Sequence, residues 1–342
     1  MSELLRTVYV GSGTWGGETG KIQVFTLDVE TAGLELQQEL PAGGVAAFMA
    51  RSRDGRFLYV ADETQGLLAS YAIESGTGRL TFINRVTAAG HPVYVALDAT
   101  DGALLTCFFE EAKTELFVIN ADGSLGASCG TVDSGRESHC TVFDPSYRFL
   151  FVPTRGDNWI AQYRYDALGR RLTESDPPRV AEAPGGGPRH LAFHPNGRFA
   201  YLVNELTLTL STYALDATHG TLSPVQRGVL AAPAGELAGS AADIHVHPAG
   251  KFLYVSNRQG DQSNLGIFAI DAASGELTLV GHELTRGRTP RNFGLDPEGR
   301  VLIVGNQESN DLALFRVASG GGALTYLRSV GVPPGPFFVG IY

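Results

Sequence analysis

The stretch GPRHLAFHPNGRFAYLVNEL, residues 187–206, holds two short apolar strands around the turn HPNGR. Pro and Gly in such a turn favour a tight reversal, because Pro presets φ and Gly accepts positive φ. The second strand of this unit recurs along the chain. TVYVGSG stands at 7–13, FLYVADE at 57–63, ALLTCFF at 103–109, FLFVPTR at 149–155, FAYLVNE at 199–205, FLYVSNR at 252–258 and VLIVGNQ at 301–307. Repeats of roughly 40–50 residues fit four-stranded propeller blades.

The rest of each unit follows outward from that strand. RDGRF, TDGAL, DPSYRF, HPNGRF, HPAGKF and DPEGR form the preceding turns. AAFMARS, PVYVALD, HCTVFD, RHLAFH, ADIHVH and RNFGLD form a strand before each turn. A third strand follows, as in TELFVIN and TLSTYALD, and a fourth, as in GRLTFINRV and GELTLVGHEL. Each unit therefore reads as an antiparallel meander of four strands. The N-terminus supplies three strands, and the C-terminal PFFVGIY reads as the missing first strand of that unit. Joining the two closes the ring and removes open sheet edges. The expected fold is all-β: one seven-bladed β-propeller domain spanning 1–342.

Length alone would suggest about two domains for 342 residues, but a repeat array extends one core indefinitely. The 43 glycines, without a fixed short period, agree with many tight turns. A formal charge of −10 offers no basic face for nucleic acid. Three cysteines, Cys107, Cys129 and Cys140, are neither a disulfide framework nor a CxxC zinc motif. MSELLRTVYVGSG lacks the pattern of a signal peptide, and no apolar run is long enough for a membrane span. The expectation is a cytoplasmic chain without metal or cofactor that acts on a small molecule; the oligomeric state is left open.

Topology sorts the polar residues. The turns between first and second strands share one face and carry repeating residues such as Asp144, His194, His247 and Asp296, which read as turn architecture. The starts of first strands and the ends of second strands share the opposite face, at the mouth of the central channel. There the sequence does not repeat. It offers Glu63, Glu137, His139, Arg155, Asp157, Arg189, His190, Glu205, Asp243, Arg258, Arg291, Asn292 and Gln307. Arginines suit carboxylate or phosphate recognition. The alternative reading is that they pair with Asp157, Glu205 and Asp243 to pin neighbouring blades. No nucleophile elbow is present, and the glycine-rich GSGTWGG precedes no helix. Cys140 follows His139, so on a strand the two point to opposite sides, which disfavours a Cys–His pair.

GPRHLAFHPNGRFAYLVNEL, HPAGKFLYVSNR, TPRNFGLDPEGRVLIVGNQESNDLALFRV and SHCTVFDPSYRFLFVP resemble the seven-bladed lactonase family, which includes bacterial 6-phosphogluconolactonases and 3-carboxy-cis,cis-muconate lactonising enzymes. The resemblance covers essentially the whole chain. It implies a metal-free lactone hydrolase or cycloisomerase, with His139, Arg189, Glu205 and Arg258 matching the family's catalytic positions. Two departures add negative charge or bulk at the mouth: Glu137-Ser138 before His139, and Phe108-Phe109-Glu110-Glu111 ending a strand of the third unit.

Lactone hydrolysis needs an activated water and a stabilised oxyanion. Glu205 or His139 is the expected base, and Arg189 and Arg258 the oxyanion or carboxylate ligands. Glu63, Arg155, Asp157, His190, Arg291, Asn292 and Gln307 are the expected substrate-binding residues. Cyclisation of a muconate-type polycarboxylate would use the same groups. A non-catalytic binding platform is the third reading, with Trp15 and Trp159 as its candidate surface aromatics. The asparagines and glutamine of the mouth favour a sugar lactone.

Overall fold

The computed structural model describes residues 4–16, 19–233, 235, 238–332 and 334–342. Apart from a single 3-10 turn at Gly260–Gln262, every regular element among them is a strand. The strands form seven four-stranded antiparallel sheets. Counting blades from the N-terminus, blade one takes its innermost strand from Pro336–Ile341, paired with Leu5–Ser12. The C-terminal strand thus closes the ring, as the sequence predicts.

No blade buries its faces alone. Tyr254 and Leu265 of blade six pack with Leu302, Val304 and Phe315 of blade seven in one buried cluster. Val8 and Val10 of blade one join Val301 and Ile303 of blade seven in another. The alternating apolar residues of each strand therefore serve the spaces between blades.

The outer turns add a repeated bolt. Gly220 sits at φ +71 in the outer turn of blade five, against the ring of Phe149 in blade four. Gly275 on Phe199 and Gly322 on Phe252 repeat the contact one and two blades on. A Cβ at Gly220 would both strain the backbone and collide with a fully packed ring. Gly220→Ala is expected to lose about 1–3 kcal/mol of stability in urea denaturation.

The inner strands carry an irregularity where they begin. In blades two, three, five and seven one extra residue bulges near the start of the inner strand: Ala47, Val93, Arg189 and Arg291. In blade six Ala242 and Asp243 lie in the corresponding register shift. A bulge re-aims side chains without breaking the sheet.

Blade four departs from the expected six-residue inner strand HCTVFD. Its inner strand is only Val142–Phe143, with an isolated bridge between Ser138 and Thr154. Pro153 explains the loss. Its carbonyl accepts from the His139 backbone N–H at 3.2 Å. On a strand a residue's N–H and C=O point the same way, so the donor that proline lacks is the one this ladder needed.

Candidate active site

The mouth of the channel is built where second strands end and inner strands begin. The Glu205 N–H, just past the second strand of blade five, donates to the Gly187 carbonyl at 2.8 Å. Gly187 has φ +69, a turn conformation that lets its chain meet this strand end. Arg155 is held in the same way in blade four, its N–H on the Glu137 carbonyl at 3.1 Å.

Glu205 is the hub. Its Oε1 accepts from Arg258 Nη2 at 2.9 Å and from Arg155 Nη1 at 3.1 Å. Its Oε2 lies 3.3 Å from Arg189 Nε, close but outside hydrogen-bond geometry. Burial raises the Glu205 carboxyl, but the charges of Arg189, Arg258 and Arg155 outweigh it and hold the group below the usual carboxylate range. Arg189 is fully buried; burial, then repulsion from Arg258, lowers it to about 9. Arg155 is shared with Glu137, whose Oε2 accepts from Nε at 2.7 Å.

Two histidines sit beside this hub. His190 places Nδ1 2.7 Å from Asp243 Oδ1, and its Nε2 lies 3.3 Å from Arg189 Nη1. With the carboxylate at Nδ1 and a guanidinium at Nε2, the neutral tautomer carries its proton on Nδ1. Burial and the charge of Arg189 lower His190 to about 4 against the pull of Asp243. His139 meets His190 edge-on, ring centroids 5.1 Å apart, and Phe109 at 5.7 Å. Burial, then Arg189, His190 and Arg291, pushes the His139 imidazole well below its ordinary value, so it is neutral at pH 7.

Several buried polar atoms around this hub have no hydrogen-bond partner: His139 Nδ1, Arg189 Nε, Glu205 Oε2, Arg258 Nε and, further out, Glu63 Oε2. Buried polar atoms are ordinarily satisfied, so this cluster of exceptions makes these residues the candidates to meet a ligand. The set combines an uncharged imidazole, N–H donors on guanidinium groups and a carboxylate.

The profile described as "Lactonase, 7-bladed beta-propeller" matches residues 7–340. The chain belongs to the seven-bladed β-propeller lactonase family. A 6-phosphogluconolactonase of Pectobacterium carotovorum is 34% identical over 337 residues, covering 98% of each chain. That of Bacillus subtilis is 32% identical, covering 97% of each. A solved periplasmic gluconolactonase of Pseudomonas aeruginosa superposes with a TM-score of 0.90 at 31% identity, over 98% of this chain and 99% of that one.

Within this lactonase-family mouth the structure sorts the sequence-derived candidates. It brings together His139, Arg155, Arg189, His190, Glu205 and Arg258. Arg291 lies beside them, its guanidinium carbon 4.9 Å from the Trp15 ring and 4.6 Å from Phe337. Burial lowers Arg291 to about 10, with Glu63 the nearest opposing charge.

Three expected substrate ligands spend their polar atoms on the protein. Asp157 is bound by the Arg136 side chain at 2.8 Å and its backbone N–H at 2.6 Å. Asn292 donates to Asp243 Oδ2 at 2.6 Å and accepts from the Val339 N–H at 2.7 Å. His190 is a brace for Arg189. Gln307 is half-buried, its backbone N–H on Thr289. Cys140 is fully buried, away from the mouth, and its thiol is pushed up to about 12 by burial. His194 and His247 bond the turn carbonyls of Gly250 and Gly299, which confirms them as architecture.

Sequence reasoning offered Asp243 as a blade-pinning partner for arginines, whereas its partners are histidines and an asparagine. It binds His190, Asn292 and His245, the last at 2.9 Å. Its place in a blade-six bulge was invisible without the register. Phe109 was read only as added bulk, yet its ring carries both His139 and Arg155. Trp159 packs against Arg179 and the interior of blade four, so of the two tryptophans only Trp15 belongs to the mouth. At the rim, ligand atoms of His91, Glu110 and Glu111 lie within 4.8 Å of one another, close enough to share a cation.

Proposed function

We propose that this chain hydrolyses a sugar lactone at the mouth of the central channel, with His139 as general base and Arg189 and Arg258 as the oxyanion site. The observation that carries the reading is the cluster of unpartnered buried atoms on these residues. Relatives named 6-phosphogluconolactonase and gluconolactonase support the reaction class.

We favour His139 over Glu205 as the base, because its Nδ1 is unpartnered while three arginines surround Glu205. Glu205 is held below the usual carboxylate range by three arginines, and a carboxylate so stabilised is a weak base. His139 is neutral and keeps a free Nδ1. His139 takes a proton from water as the oxygen attacks the lactone carbonyl. The N–H donors of Arg189 and Arg258 stabilise the oxyanion, and the ring oxygen leaves as a hydroxyl after receiving that proton. Glu205 orients the arginines. Cyclisation of a polycarboxylate is not favoured, because the relatives are named for lactone hydrolysis. Among the described residues no helix is long and apolar enough to cross a membrane.

The test is acid release from sugar lactones against spontaneous hydrolysis, in EDTA. Acceleration that is lost in His139→Gln supports the reading; no acceleration on any lactone by folded protein removes it. The pH profile carries a further expectation. An ordinary imidazole would be about nine-tenths protonated, and inactive as a base, one unit below 6.5. Because His139 lies well below that value, kcat/KM is expected to stay near its plateau at pH 5.5. The fold responds with the opposite tendency. Unfolded histidines take up protons below 6.5 while His190 resists until about 4, so stability falls as pH drops through that window.

A further inference from the structure

Beside the catalytic hub lies a cavity of about 310 Å³, lined by Trp15, Glu63, Thr64, His91, Phe109 and Glu110. Two of its lining side chains also contact the hub side. Phe109 supports His139 and Arg155 on its ring, and Trp15 lies against Arg291. Its volume is at the lower end for small-ligand sites.

The lining mixes aromatic faces with carboxylates and a hydroxyl. Glu63 Oε2 is buried and has no donor. A carboxylate only accepts, so that oxygen calls for a ligand hydroxyl or amine. No lysine or arginine lines the cavity, and Glu111 stands behind its rim with His91 Nδ1 3.3 Å away. Across the whole mouth, Arg155, Arg189, Arg258 and Arg291 face Glu63, Glu110, Glu111, Glu137 and Glu205. The positive charge is therefore already balanced before a ligand arrives.

We infer that the lactone this site accepts is neutral: an unphosphorylated aldonolactone whose hydroxyl-bearing tail occupies the cavity. The inference rests on the lactone-hydrolase reading and narrows its substrate class. With the carbonyl held at Arg189 and Arg258, the tail extends into the cavity between Trp15 and Phe109. Its C–H faces pack on the rings, and its hydroxyls donate to Glu63 and Glu110. A phosphate there offers no donor to Glu63 and places like charges side by side. Arg291 is the cation that a phosphate would seek, and it makes no hydrogen bond or ion pair among the described residues. Its guanidinium, however, is wedged between Trp15 and Phe337.

The measurement is kcat/KM for a six-carbon aldonolactone and for its 6-phosphate ester, in EDTA and again in Mg²⁺. Wild-type protein is expected to favour the neutral lactone on the order of 100-fold. The Glu110→Gln/Glu111→Gln double variant, at the rim and outside the catalytic hub, is expected to narrow that ratio about tenfold by improving the phosphate ester. Glu63→Gln is expected to weaken the neutral lactone through KM. Equal or preferred turnover of the phosphate ester in EDTA overturns the inference. So does a preference for it that appears only in Mg²⁺, which would place a cation on His91, Glu110 and Glu111. An unchanged ratio in the double variant, with thermal melting showing it folded, also overturns it. Hydrolysis of neither lactone sinks the hydrolase reading itself, a separate outcome.

Discussion

Glu205→Gln is expected to cost about 3–5 kcal/mol of stability and to abolish most activity. The substitution keeps size and shape but removes the charge that Arg155, Arg189 and Arg258 share. Three guanidinium groups would then face one another in a buried space, and stripping one partner from a buried ion cluster is strongly destabilising. The lowered carboxyl of Glu205 has the matching sign: its ionised form stabilises the fold, and that contribution is lost as pH falls below the carboxylate range. Urea denaturation of wild type and variant at pH 7 measures the difference. A variant as stable as wild type would mean that the arginines are held apart by their backbone contacts alone.

Arg189→Met is expected to do the reverse, lowering kcat about 10²–10³-fold with little loss of stability. Removing one oxyanion donor typically has this kinetic cost. The side chain is among the largest fully buried ones of the described residues, and methionine fills comparable space. Its charge is not what the fold needs. Burial and Arg258 lower Arg189 to about 9, so the folded state disfavours the guanidinium charge even with Glu205 beside it. Stopped assays with a saturating lactone, alongside thermal melting, separate the two effects. Loss of folding with activity proportional to the folded fraction would assign Arg189 a structural role. The pair of variants therefore distinguishes the residue that organises the cluster from the one that acts through it.

The repeated second strands and their glycine turns carried the architecture in the sequence. Period, alternation and turn chemistry are local properties, and the missing first strand of blade one matched PFFVGIY at the other end of the chain. The same local logic put the non-repeating residues on one face. That was enough to gather His139, Arg155, Arg189, Glu205 and Arg258 before any coordinate was known. The turn histidines His194 and His247 were set aside for the same reason, and their bonds to turn carbonyls agree.

What the linear pattern could not carry is which atom of each residue stays free. Asp157, Asn292 and His190 share a face with the hub, yet Arg136 takes the first and Asp243 the other two. Those partners come from other turns, strands or blades, and bulges in the inner strands decide which way a side chain leaves the sheet. The shortened inner strand of blade four is a similar case: Pro153 belongs to one strand and breaks the ladder of another. The surroundings of the two candidate bases were also tertiary. His139 and Glu205 were equal candidates as residue types, and the fold gives one three arginine partners and leaves the other a buried imidazole with an unpartnered Nδ1. The sequence by itself determined the ring, its closure and the face on which the non-repeating polar residues gather, because these follow from short-range periodicity. The tertiary structure decided charge balance, free donors and acceptors, and the cavity beside the hub, because each depends on groups from different blades meeting near the axis.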